Sequence, residues 1–427
     1  MLTRIEIDGF KTFRDFSLDV PPFLVLLGRN ASGKSNLFEA LQFLRGASEG
    51  NLSDAAKQVR GGLDQFFHRY ADGTTMDTAS FAVELSVPET VKDELDADAP
   101  VLRTRLRYEL VVGIVDSHSG GRSLVLRGES VSAISADGEV IEPLLSQDEV
   151  TRQFILTRRD RGEAHVGGPL PVRSVLSTIT SAPVYPELVA LRQVFSRWMT
   201  AQIEPDCVRE PSSYDDEREP MTPRGANVAN ALRRLAVETG TIDRPEGVFN
   251  DLRSELHAVV PDIIDLRIED DPKRRQRDVV FTDRSRQSVP AVAASDGTLR
   301  TLGLLTAVHE NRGGLVCLEE PENGIHPPHL VNLLEIIGER VRRSEVDRMP
   351  VQVLSSTHAP VVAKALTGTD PLRPSVVVFV DVVSRVGGGG PASRVSKILR
   401  LPEDSTSAAE PRMTKSEWRR YLAAGER

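Results

Sequence analysis

Eight consecutive residues, Gly28-Arg29-Asn30-Ala31-Ser32-Gly33-Lys34-Ser35, fit the pattern G-x-x-x-x-G-K-[ST] and run on into Asn36. Glycines at the first and sixth positions let a backbone curl until successive N–H groups point at phosphate oxygens. A helix opening at that point adds its partial positive charge. In such a cradle Lys34 reaches the terminal phosphates and the Ser35 hydroxyl is a ligand for Mg²⁺. The pattern predicts that residues 28–36 bind ATP together with Mg²⁺.

Two further clusters supply groups that a triphosphate would need. The apolar run Leu315–Leu318 ends in Glu319 and Glu320. The first acid would hold Mg²⁺, and the second would polarise an attacking water. Glu319 is one methylene longer than the usual Asp, so direct and water-mediated metal contact are both open. After the run Val351–Leu354 comes Ser355-Ser356-Thr357-His358-Ala359-Pro360. A histidine at that strand end can touch the γ-phosphate and sense its presence. His326 and His329 read as packing or surface residues.

These groups need elements to hold them. Residues 2–7, 15–20 and 23–27 read as strands, and 36–44 has helical spacing, so the phosphate loop sits between a buried strand and a helix. Between about 80 and 170 alternating segments predict strands at Phe81–Val87, Leu102–Val115, Ser123–Leu126 and Glu129–Ile134. Helices are predicted at Glu187–Met199, Asn227–Glu238 and Val248–Val259, with a loop at 208–225. The strand Arg277–Thr282, a helix at 297–309, a buried strand at 315–318, a helix at 328–343 and strands at 351–356 and 375–380 complete the pattern. Gly387–Gly390 opens a polar end read as flexible. The expected fold is α/β: residues 1–180 and 276–385 form an ATPase lobe with an antiparallel β subdomain, 181–275 an inserted helical lobe and 386–427 a tail.

Composition narrows the classes. The chain has 427 residues, 40% of them hydrophobic and 27% charged, which suits a globular protein with a large core. Its 53 basic and 62 acidic side chains give a net charge of −9, so nucleic-acid binding would rest on a local patch. Two cysteines, Cys207 and Cys317, match no metal spacing and point to a reducing cytoplasm. The charged N-terminus MLTRIEIDGFKTF lacks the apolar core of a secretory leader, and no run has the length of a membrane span.

In this order the motifs resemble the ABC-type ATPase heads of the RecF, SMC and OLD group, and most of all the stand-alone RecF-like AAA-21 ATPases of bacteria. The residues that carry the resemblance are Ile5–Phe13, GRNASGKSN at 28–36, ASDGTLR at 294–300, LEEPENGIHP at 318–327 and STHAP at 356–360. The resemblance implies a P-loop mixed sheet. It also implies that Ser295-Asp296-Gly297-Thr298 is a signature, with Ser295 and Gly297 binding the γ-phosphate of ATP held by a second copy. Two ATPs would then be buried in a head-to-tail homodimer, Glu320 directing hydrolysis. For the family's lobe-coupling glutamine the candidate is Gln65, and an adenine contact is expected from Lys11–Phe13.

What such an ATPase acts on is less marked. Relatives act on DNA, and basic clusters occur at Arg103, Arg105 and Arg107, at Arg158, Arg159 and Arg161, and at Lys273–Arg275 with Arg277. Coiled-coil arms are lacking, and residues 359–427 are too few for an added nuclease domain. An effector such as a nuclease or toxin would be a separate chain. The leading expectation is a DNA-linked ATPase of repair or anti-phage defence. The alternative is an ATP-gated scaffold or antitoxin-like switch that binds protein and no DNA. A membrane transporter subunit fits less well, because the signature is S-D-G-T and the β-rich region is large.

Overall fold

Alternation of apolar and polar residues at 2–8 and 78–86 becomes antiparallel pairing in the computed structural model, which describes residues 1–116, 121–160, 162–167, 171–344, 350–360, 362–363, 376–385, 391–401 and 411–423. The chain divides into two units. One holds residues 1–21, 28–198 and 380–399, the other residues 22–27, 199–379 and 400–427. The expected insert 181–275 is shared between them.

The first unit is built on an eight-stranded antiparallel sheet. Its spatial order is Glu163–Val166, Phe154–Thr157, Val140–Gln147, Arg122–Ile134, Arg105–Asp116, Thr78–Ser86, Leu2–Asp8 and Phe16–Asp19. Ile7 lies opposite Phe81, and Phe81 opposite Leu110. The period of two therefore gathers their side chains on one face. The helix Lys34–Glu49, which follows the phosphate loop, brings Phe43 to that face. Its ring centroid is 4.8 Å from Phe66 and 5.2 Å from Phe81, and Phe10 lies 4.9 Å from Phe66. All four rings are buried, and truncating one to Ala costs about 3–5 kcal/mol. This cluster anchors the phosphate-loop helix. Nearby, Glu129 is buried, and burial raises its pKa. Its carboxyl accepts from Tyr108 Oη at 3.0 Å, Ser174 Oγ at 2.8 Å and the N–H groups of Val175 and Leu176 at 2.5 and 3.2 Å. Four donors replace the water that burial removes.

The second unit contains a parallel sheet. Leu315–Glu319, Gln352–Thr357, Phe23–Leu27 and residues 376–379 lie side by side in that order. The strand Phe23–Leu27 is buried at every position, and Leu315–Leu318 likewise. Strands covered on both faces carry continuous apolar runs rather than alternation. Glu319 pairs with Ser356, and Thr357 with Leu27. Parallel pairing thus brings the ends of three motif strands to one edge of the sheet. The helices Val228–Thr239, Val248–Val259, Asp296–Glu310 and Pro327–Ser344 also belong to this unit.

Several expected elements are redrawn. Ser123–Leu126 and Glu129–Ile134 are one strand, Arg122–Ile134. Val111 pairs with Gly128 and Val112 with Leu126, so Arg127 is an extra residue that breaks the alternation. The helix expected to reach Met199 ends at Ser196 and is followed by the strand Trp198–Ala201. A hairpin pairs Ile263–Asp271 with Gln276–Asp283, and its first strand carries no clear alternation because only Ile263 and Leu266 are buried. The loop 208–225 contains the short strand Ser212–Ser213. The tail read as flexible carries the strand Ser393–Arg400 and the helix Lys415–Ala423, which buries Trp418 and Tyr421. The Gly387–Gly390 run, Arg161 and Ser375 lie outside the described residues.

Candidate nucleotide site

Within the first unit the loop Gly28–Ser35 is tightly walled. A Cβ on Gly28 would stand 2.5 Å from Val380 O, and one on Gly33 would stand 2.0 Å from Ser396 Oγ. Gly33 has φ of 100° and Ala31 of 62°, so the loop turns through left-handed positions that favour glycine. Lys34 opens its helix and is buried. Its Nζ donates to Gly28 O at 2.8 Å and to Arg29 O at 3.0 Å. The ammonium is thereby folded over the loop. Ser32 Oγ is buried with no hydrogen-bond partner among the described residues. Ser35 and Asn36 are half-buried, and Arg29, Asn30 and Ala31 are exposed.

Thr12, one of the residues expected near adenine, and Ser396, which no spacing reveals, brace this loop. Thr12 Oγ1 accepts from Asn36 Nδ2 at 2.7 Å and lies 2.7 Å from Ser396 Oγ. Ser396 Oγ also donates to Ser32 O at 2.8 Å. Of the residues expected at adenine, Phe13 is buried against Phe16 with ring centroids 4.3 Å apart and presents no free face. Lys11 pairs with Glu39 and donates to Arg60 O at 2.9 Å.

Glu319, Glu320 and His358 belong to the second unit. Glu320 has φ of 45°, a conformation that costs a non-glycine residue about 1–2 kcal/mol. Its N–H donates to Ser356 O at 3.1 Å, and Asn323 Nδ2 donates to its Oε2 at 3.3 Å. His358 Nδ1 stands 3.8 Å from Glu320 Oε1 and 2.9 Å from Glu322 Oε1. Glu320 and His358, predicted from separate motifs, are therefore neighbours. Glu319 accepts a hydrogen bond from Gln202 Nε2, just beyond the strand Trp198–Ala201. Gln65 is an exposed residue of the turn Gly62–Gln65. No motif marks Gln202, which follows a strand whose first residues read as the end of a helix.

Ser295 caps the helix Asp296–Glu310, accepting from Thr298 N at 3.3 Å. Asp296 pairs with Arg209. A Cβ on Gly297 would come within 2.9 Å of Gly324 O, so the start of this helix packs on the loop that follows Glu319 and Glu320. His326 and His329 have ring centroids 5.7 Å apart. Among the described residues no group of three or more His, Cys, Asp or Glu side chains could hold a metal ion. Nor is any described helix long and apolar enough to cross a membrane.

Comparison with known proteins gives the family and the fold. Residues 23–108 and 205–364 match the family AAA_21, described as "AAA domain, putative AbiEii toxin, Type IV TA system". The chromosome partition protein Smc of Methanocaldococcus jannaschii is 35% identical over 79 residues, covering 18% of this chain and 6% of that protein. Smc of Gloeobacter violaceus is 29% identical over 185 residues, covering 38% and 15%. The matched stretches are thus a small part of these relatives' length. A crystal structure of an SMC head bound to the C-winged helix domain of ScpA superposes with a TM-score of 0.51 at 13% identity, covering 93% of this chain and 97% of that one. With more than half of its length matched, the chain belongs to the AAA_21 family, and its fold is the mixed α/β fold of an ABC-type, SMC-like ATPase head.

Proposed function

We propose that the protein binds and hydrolyses ATP and that two copies close head to tail over two nucleotides. The observation that carries this reading is the register of the parallel sheet: Leu27, after which the phosphate loop begins, pairs with Thr357, and Glu319 with Ser356. Lys34 would hold the terminal phosphates, and the N–H groups of Gly28–Ser35 the rest of the chain of phosphates. Ser32 Oγ, with no hydrogen-bond partner among the described residues, and the tight wall at Gly33 fit a cradle for an anion. Ser35 and Glu319 offer a hydroxyl and a carboxylate, the oxygen donors that suit Mg²⁺, which when bound would offset phosphate charge. Glu320 would orient the attacking water and take its proton. Ser295 and Gly297, at an exposed helix start, would close over the nucleotide held by the second copy. ATP adds those bonds only in the closed pair and so shifts the equilibrium towards it.

The test uses Glu320→Gln, which keeps the side chain's size and removes the base. With ATP and Mg²⁺ it should elute as a dimer from a sizing column while the ATP-free protein elutes as a monomer. A Glu320→Gln protein that stays monomeric with ATP contradicts the pairing.

For the molecule acted on, most guanidiniums of the basic clusters are taken up by carboxylates, Arg105 and Arg159 having no ion pair among the described residues, and this favours a protein partner over DNA. Arg107 is engaged by Glu6, Glu84 and Glu109, and Arg103 by Glu142. Arg274 pairs with Asp271, Arg275 with Asp215, and Arg277 with Glu217 and Asp270. Guanidiniums already matched to carboxylates offer less to a phosphate backbone. The favoured reading is an ATP-gated switch for a separate effector such as a toxin or nuclease. Duplex DNA that raises ATP turnover several-fold, with an effect lost steeply as salt rises, would restore the DNA-linked reading.

A further inference from the structure

We infer that Glu322 positions the switch histidine, and that Tyr421 of the C-terminal helix Lys415–Ala423 holds the same residue by its carbonyl. The inference rests on the ATP-hydrolysing reading and deepens it. Glu322 Oε1 accepts from Thr357 Oγ1 at 2.8 Å and from the N–H of His358 at 2.8 Å. The ring Nδ1 of His358 stands 2.9 Å from the same oxygen. Tyr421 Oη donates to His358 O at 3.1 Å. The backbone N–H, the backbone carbonyl and one ring nitrogen of His358 thus each have a neighbour. Nδ1 is close to Glu322 Oε1 without hydrogen-bonding geometry, and neither ring nitrogen has a protein hydrogen bond among the described residues, so the ring can still meet a ligand.

Burial makes these contacts firm. The Glu322 side chain is 10% exposed and Tyr421 5%. The Tyr421 ring meets Phe379 edge-on at 5.0 Å and stacks on Trp418 at 5.8 Å. Burial, with the Glu322 charge nearby, pushes the Tyr421 hydroxyl up to about 12, so it remains a donor at neutral pH. Glu322 is also the second residue after Glu320, whose Oε1 lies 3.8 Å from the same imidazole. One short turn therefore carries both the proposed base and the group that orients the sensor. Glu322 and Tyr421 are positioning residues: they act through His358.

Steady-state ATP turnover by the full chain tests this, with thermal melts as a check on folding. Glu322→Ala should lower kcat about tenfold, equivalent to about 1.4 kcal/mol of barrier, with KM for ATP changed less than about twofold. Glu322→Gln should retain most of the rate, because its amide oxygen still accepts from Thr357 and the His358 N–H. Tyr421→Phe should lower kcat roughly threefold at an unchanged melting temperature. The decisive comparison uses His358→Ala: adding Glu322→Ala or Tyr421→Phe to it should slow turnover no further. A Glu322→Ala rate within twofold of the wild type, or losses that multiply in the His358→Ala background, overturns the inference. If Glu322→Ala does not fold, Tyr421→Phe alone and with His358→Ala decides it by the same criterion. A wild-type chain that turns over no ATP overturns the functional reading itself; an active wild type beside an indifferent Glu322→Ala overturns this inference alone.

Discussion

Leu27 and Thr357 pair in register on adjacent parallel strands, so the residue before the phosphate loop and the residue before His358 end at the same level of the sheet. Glu319 sits one strand further along, opposite Ser356. A nucleotide site needs a phosphate cradle, a metal-binding acid, a base and a sensor. Parallel pairing of three buried strands brings Leu27, Glu319 and Thr357 to one edge of the second unit's sheet, the kind of edge where open α/β sheets bind ligands.

Lys34 supplies the one ammonium of the loop. Lys34→Ala should weaken ATP binding by about 2 kcal/mol, roughly a 30-fold rise in Kd, because a charge-assisted contact to phosphate is lost. Its partners Gly28 O and Arg29 O face the loop, so the melting temperature without nucleotide should change little. Isothermal titration with ATP and Mg²⁺ reads the first effect and a thermal melt the second.

Gly33 has no space for a side chain. Gly33→Ala places a methyl 2.0 Å from Ser396 Oγ at φ of 100°. The strain should cost about 1–3 kcal/mol of stability and abolish triphosphate retention. Retention within threefold of the wild type would show that the loop is not walled as described.

The signature should act only across the pair. Ser295→Arg adds bulk at an exposed helix cap, outside the phosphate loop. It should leave ATP binding to the single copy within about twofold and prevent dimer formation in the Glu320→Gln background. Loss of binding by the monomer would place Ser295 in the wrong role.

Arg107 joins three carboxylates, with Glu6 Oε2 at 2.6 Å, Glu84 Oε1 at 2.9 Å and Glu109 Oε1 at 2.8 Å. Burial opposes the Glu6 carboxylate, but hydrogen bonds from Arg107 and Arg4 outweigh it and hold its pKa below the usual range. A lowered folded-state pKa contributes stability above the unfolded value and loses it as pH falls through the folded value. Arg107→Ala should therefore cost about 1–2 kcal/mol at pH 7, and the gap from the wild type should narrow below about pH 4.3. Urea unfolding of both proteins at pH 7 and near pH 3.5 reads this; a constant gap contradicts it.

The legible part of the site is the part whose residues are consecutive. The phosphate loop, Glu319-Glu320 and Thr357-His358 each follow a short apolar run, and the strands Phe23–Leu27, Leu315–Glu319 and Gln352–Thr357 stand where those runs lie. The illegible part is held by distant partners. Ser396 lies 364 residues from Ser32, and Tyr421 lies 63 from His358. No local period encodes such contacts. Gln202 was hidden because Trp198–Ala201 adjoins a helix of similar composition, and Arg127 because one bulged residue reverses the alternation around it.

In the proposed reaction residues 28–35 retain ATP and Glu320 directs its hydrolysis. A single-turnover assay with γ-labelled ATP and Mg²⁺, run on the wild type and Glu320→Gln, addresses it most directly. The wild type should release labelled phosphate, while Glu320→Gln should retain intact ATP and release phosphate at least about 100-fold more slowly. A wild type that retains no labelled nucleotide, or a Glu320→Gln protein that hydrolyses at the wild-type rate, contradicts the account.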